Sequence, residues 1–188
     1  MSTLTVQNIQ GSSSSGNKIQ VASGHVLNAP GHILQIVQGI KTDTFTSNST
    51  STFVDIGLSV AITPSSASSK ILIAYRVCTS MIAGGYACSL ILVRGSTNIA
   101  LGDADSNRTR VTTMAQSSSA SAAGYNVFYQ TVDFLDSPNT TSATTYKVTA
   151  RGWNSQAGNF YINRSEADSD SANFVRGIST ITAMEIAG

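Results

Sequence analysis

An all-β fold, a β-sandwich of jelly-roll type with an extended N-terminal arm, is what this sequence predicts, and three observations carry that reading. Apolar and polar residues alternate in short runs rich in Val, Ile, Thr, Tyr and Phe, which suit a pleated, half-buried surface. Turn residues break these runs at intervals of roughly 8 to 20 residues. No segment holds a 3.6-residue apolar period long enough for a helix. With roughly eight to ten short strands, two packed sheets are the natural solution, and long polar crossovers between strands fit a jelly roll.

The densest apolar stretch runs from Lys70 to Arg94. Ile71, Ile73, Tyr75 and Val77 alternate with Leu72, Ala74, Arg76 and Cys78, and Ala87 to Val93 is again strongly apolar. Gly84 and Gly85 lie between these runs and adopt positive φ at little cost, so the pair is expected to form one central hairpin with its reversal there. Before it, Ile33–Val37 and Thr52–Ile62 read as strands, the second ended by Pro64 and a cluster of serines. After it, Gly95-Ser96-Thr97-Asn98 reads as a tight turn into Ile99–Leu101, and Gly102–Arg110 as a polar loop. Tyr125–Leu135, Tyr146–Arg151, Phe160–Ile162 and Val175–Ile186 complete the expected strands.

The chain has 188 residues, enough for one domain with a sizeable core plus an appendage. Hydrophobic residues make up 41% but charged ones only 11%, against about 25% in an ordinary domain. A hydroxyl-rich, lightly charged surface repels its own copies weakly, which favours self-association. Net charge is +1 and the 11 Lys and Arg residues are scattered, so no basic footprint for nucleic acid is present. No apolar run approaches the roughly 18 residues of a membrane helix. The opening MSTLTVQNIQ lacks the basic and apolar regions of a signal peptide, so synthesis in a cytosol and a soluble product are expected. In such a compartment Cys78 and Cys88, which flank the expected hairpin turn, read as buried free thiols in preference to a disulfide.

Residues 1–31 read as an arm distinct from the domain at 32–188. Its short β-like runs, around Leu4, Val6 and Ile9 and then Ile19 and Val21, are separated by Gly11-Ser12-Ser13-Ser14-Ser15-Gly16, a flexible linker by composition. Such a segment has no core of its own. Ser23-Gly24-His25-Val26-Leu27 is echoed by Pro30-Gly31-His32-Ile33-Leu34, which suits a chain that zigzags against other subunits.

Catalytic signals are sparse. There are two Glu and two His residues and no G-x-S-x-G motif; Glu166 in a polar loop and Glu185 in the last strand make a poor pair, a pair among the Asp residues stays open but disfavoured, and no catalytic residue is assigned. His25 and His32 present either a metal ligand repeated about a symmetry axis or polar residues beside glycine turns; without H-x-H or Cys partners the second reading is preferred. Asp103-Ala104-Asp105-Ser106-Asn107 copies the first ligands of a calcium loop, but Arg108 stands where glycine is needed and Met114 where the closing Glu belongs. It reads as a surface loop balanced by Arg108 and Arg110, and Glu166–Asp170 as a solvated one. No metal or cofactor is expected. Trp153 is either a platform for a sugar or a sandwich-edge aromatic.

Several motifs resemble small β-structured virion proteins of tailed bacteriophages. They are Leu4-Thr5-Val6-Gln7-Asn8-Ile9-Gln10-Gly11 and Val21-Ala22-Ser23-Gly24-His25 in the arm, and Pro30-Gly31-His32-Ile33-Leu34-Gln35-Ile36-Val37-Gln38 at the start of the body. Ile62-Thr63-Pro64 leading to Ser69-Lys70-Ile71-Leu72-Ile73, and the ending from Ser179 to Gly188, are similar too. The resemblance implies a homotrimer on the outside of a phage particle, a capsid decoration or cement protein or a short head-fibre knob, held to the major capsid, connector or tail proteins by its arm. Leu4, Val6, Ile9, Ile19 and Val21 are then the expected anchors, by strand addition and apolar burial. The alternative is a receptor-binding tail-fibre tip in which Trp153 or Tyr161 stacks on a host-surface glycan. Neither reading involves catalysis, nucleic acid or membrane insertion.

Overall fold

A computed structural model describes residues 13–16, 23, 29–82, 86–117, 124–153 and 159–188. Among them are eleven strands: β1 (Ile33–Lys41), β2 (Phe45–Ser47), β3 (Val54–Ile62), β4 (Lys70–Met81), β5 (Ala87–Arg94), β6 (Thr97–Ile99), β7 (Thr113–Gln116), β8 (Phe128–Asp136), β9 (Thr144–Trp153), β10 (Phe160–Ile162) and β11 (Ser179–Ile186). The helical residues described are a single 3₁₀ turn at Ser13–Ser15.

The strands make two antiparallel sheets. In the first, β4 pairs along one edge with β8, and along the other with β11 through Lys70–Arg76 and with β10 through Thr79–Met81. β1 pairs with β11, and β2 with β10, so the sheet has four columns: β1/β2, β11/β10, β4 and β8. In the second, β9 lies between β3 and β5, and the far edge of β5 is shared by β6 and β7. Taken in chain order, the first strand pairs with the last, β2 with β10, β3 with β9, β4 with β8 and β5 with β7. That is one long hairpin rolled into two facing sheets, the double Greek key of a jelly roll.

The rolled hairpin corrects the expected centre of the fold. β4 and β5 do not pair; they belong to opposite sheets and face each other across the core. The tight reversal is instead at Gly95-Ser96, where Arg94 opposes Thr97 and Gly95 adopts φ 58°. Both strands are rich in core residues, and setting them in different sheets buries Ile71, Ile73, Tyr75 and Val77 against Cys88, Leu90 and Leu92. The expected turn at Gly84 and Gly85 lies outside the described residues. Two short strands, β2 and β7, carry no run of alternation long enough to stand out in the sequence. The last strand begins at Ser179, not Val175, because Gly177 packs over Cys78 instead of entering the ladder.

Cys78 and Cys88 are both buried and free. Cys88 points into the core and Cys78 to the outer side of its sheet, under Gly177 and Tyr129. Burial pushes the Cys88 thiol up to about 12, against the opposing hydrogen bond from Gln130, and burial raises Cys78 too, so both stay protonated.

The two sheets approach closely at Gly39 of β1. A Cβ there would lie 2.0 Å from the carbonyl oxygen of Ser59 in β3, and backbone cannot swing aside. Gly39→Ala is therefore expected to cost roughly 3 kcal/mol and lower the melting temperature by about 6–12 °C. Thermal unfolding followed by circular dichroism checks this; an unchanged melting temperature would contradict the close approach.

Candidate functional site

Two surfaces of the sandwich carry features that folding alone does not require. On the outer side of the first sheet the registers align Ile36, Met184, Leu72 and Leu135 in one row across β1, β11, β4 and β8. The next row is Gln38, Thr182, Ala74 and Asp133, and the one after it Ile40, Thr180, Arg76 and Thr131. Each of these residues sits one step out of phase with the core set, so strand alternation turns it outward. Ile36 is 58% exposed, Leu135 53% and Ile40 60%. An apolar row spanning the whole width of a sheet, with few charges beside it, is more than scattered surface hydrophobes.

The second surface lies over β9 and β5. Arg151 and Trp153 are two residues apart on β9 and share its outward face. The loop between β6 and β7 brings Asn107, Arg108, Thr109 and Val111 against them, and with Ser89 and Met114 they line a cleft of about 360 Å³. Trp153 is 53% exposed. The Arg151 guanidinium lies 5.0 Å over the Phe53 ring, and its Nη2 donates to Thr109 Oγ1 at 3.1 Å. Ser89 and Ile91, which point away from the core, are buried all the same, so β5 is covered on both sides.

Of the two aromatic residues expected to meet a sugar, only Trp153 offers an open face. Tyr161 is 7% exposed, and the Arg164 guanidinium sits 4.3 Å over its ring. The expectation for Tyr161 is thus corrected: its position in β10, sandwiched between β4 and β2, turns it under the loop that follows. The arm anchors Leu4, Val6, Ile9, Ile19 and Val21 lie outside the described residues, as does His25. His32 is exposed, and its carbonyl accepts a hydrogen bond from the Ala187 amide at 2.8 Å, extending the β1–β11 pairing. No group of three or more His, Cys, Asp or Glu side chains converges among the described residues.

The two acidic loops differ. Asp105 pairs with Arg108, and Arg110 Nε donates to the Gly102 carbonyl, so the first loop is internally balanced as expected. The second is more than a solvated stretch. Asp168 binds both Arg164 and Arg176 at 2.7 Å, pinning the loop that covers Cys78. Arg151 was not singled out in the sequence, although its spacing from Trp153 on a strand was the available signal.

No protein-family model matches the chain, and no curated protein matches it. Among solved structures, the chain is similar to that of an infectious bursal disease virus Gx strain structure, at 10% identity and a TM-score of 0.44, over 91% of this chain and 42% of that one. It is also similar to the infectious bursal disease virus VP2 subviral particle, at 11% identity and a TM-score of 0.36, over 90% of this chain and 46% of that one. The chain therefore spans less than half the length of either.

Proposed function

We propose that this protein is a non-enzymatic virion component of a tailed bacteriophage, a homotrimeric capsid decoration or cement protein or short head-fibre knob on the particle exterior. The observation that carries the reading is the row Ile36–Met184–Leu72–Leu135, an apolar stripe on a jelly-roll face with little charge to hold copies apart. Three copies associate through this face, and residues 1–31 run onto neighbouring coat, connector or tail subunits, with Leu4, Val6, Ile9, Ile19 and Val21 as apolar anchors. The chain is made in the host cytoplasm and resides on the particle exterior.

Light scattering on the purified chain tests the assembly. The native mass is expected to be three times that of one chain, and Leu72→Asp combined with Leu135→Asp is expected to give a folded monomer, because two carboxylates would be desolvated in the interface. A monomeric wild-type protein would sink the reading. Deletion of residues 1–31 is expected to abolish retention on particles while leaving the trimer intact.

A second reading is favoured by the cleft beside Trp153: recognition of a host-surface glycan by the same exterior protein. An exposed indole next to polar side chains is the usual design of a sugar platform. The two readings are compatible, since the stripe and the cleft lie on opposite sheets.

A further inference from the structure

We infer that the cleft over β9 binds a carboxylated saccharide, with Trp153 as the stacking surface and Arg151 as the partner of the carboxylate. This rests on the glycan reading above and narrows it to one ligand class.

The argument begins with charge. The cleft is lined by two arginines, Arg108 and Arg151, and by no carboxylate. Arg108 is offset by Asp105, whereas Arg151 forms no ion pair among the described residues. Its guanidinium is nevertheless held in place. Phe53 supports one face and Thr109 takes one donor, so little side-chain freedom remains to be lost on binding. Arg151 Nη1 makes no hydrogen bond among the described residues, and Nη2 gives only one of its hydrogens to Thr109, so the fork keeps donors that match a carboxylate.

Shape and polarity agree. Residues i and i+2 of a strand stand roughly 7 Å apart, so a sugar ring resting on the Trp153 indole brings a ring carboxylate within reach of Arg151. Asn107 and Thr109 supply amide and hydroxyl groups for the remaining sugar hydroxyls, and Met114 adds an apolar wall. A volume of about 360 Å³ is at the small end of ligand sites and suits one or two sugar units. A neutral sugar would leave the Arg151 charge unanswered.

The test is titration of the purified full chain, by saturation-transfer NMR and calorimetry, with a panel of hexuronate and sialate oligosaccharides and their matched neutral counterparts. At least a tenfold preference for acidic members is expected, weakening as salt is raised. Arg151→Gln should erase that preference, and Trp153→Ala should abolish binding of both kinds, each with an unchanged melting temperature. Should Arg151→Gln fail to fold, Arg151→Lys keeps the charge without the fork and is expected to lower acidic binding several-fold. Equal binding of acidic and neutral members would overturn the carboxylate assignment and leave glycan recognition standing. Binding of no member would overturn both.

Discussion

Replacing Asp136 by alanine is expected to destabilise the protein by about 3 kcal/mol, the largest effect anticipated from a single polar side chain. Asp136 ends β8, in the first sheet, and its carboxylate accepts two hydrogen bonds from Arg94 Nη1, at 2.8 and 2.9 Å. Arg94 ends β5, in the second sheet. Tyr146 of β9, wholly buried, donates its hydroxyl to the same carboxylate at 2.6 Å. Burial first, and then the neighbouring Asp136, pushes the Tyr146 phenol well above its ordinary range, so the hydroxyl stays a donor. Without Asp136 that donor is stranded in the interior, and Arg94, which is part exposed, loses its partner to water. Asp136→Asn retains an acceptor for Tyr146 and is expected to cost less, about 1–2 kcal/mol. Urea unfolding of both variants and of Tyr146→Phe would measure the coupling; a loss for Asp136→Ala below about 1 kcal/mol would show that the link between sheets contributes little.

Glu185→Gln is expected to lower stability by about 2 kcal/mol near neutral pH and to flatten its acid dependence. Glu185 of β11 is fully buried and forms no ion pair among the described residues. Its Oε2 accepts from Gln35 Nε2 at 2.6 Å, and its Oε1 from the Ser65 amide, the Ser65 hydroxyl and the Ser69 hydroxyl, each at 2.7 Å. Burial raises the carboxyl's pKa, but these hydrogen bonds together outweigh it and hold the group below its usual range. A depressed folded pKa means that the unfolded chain takes up protons first as pH falls. The stabilisation is therefore complete above the ordinary carboxylate value and is lost as pH drops through the lower, folded one. Melts of both proteins between pH 3 and pH 7 would display this as a steeper acid limb in the wild type. Parallel curves would exclude the carboxylate as its source.

The same two residues show where sequence reading stops. Glu185 falls at an inward position of β11, and an acid inside a buried strand finds no explanation until Ser65 and Ser69, over a hundred residues away, are seen to enclose it. Asp136 falls just past the expected strand Tyr125–Leu135 and drew no reading from the sequence, whereas it joins two sheets. Ile71, Ile73, Tyr75 and Val77, by contrast, were separable from Leu72, Ala74 and Arg76 by alternation, and the core takes the first set. The outward stripe was half visible: Leu72 belonged to the other phase of β4, but its alignment with Ile36, Met184 and Leu135 depends on three registers. Trp153 was legible as a lone aromatic, and Tyr161 looked equivalent to it. Their opposite fates follow from which face of which sheet each strand presents.

Local rules were enough to establish an all-β chain with short strands, glycine and proline turns, and a surface poor in charge, because those properties depend on residues within a few positions of each other. Which strands became neighbours did not follow. A strand's side-chain period of two states which residues share a face, yet says nothing about the sheet that face belongs to, and several partners satisfy it equally. Burial of the whole apolar set selected the rolled hairpin, put β4 and β5 on opposite sides of the core, and so created both the apolar row and the cleft holding Arg151 and Trp153.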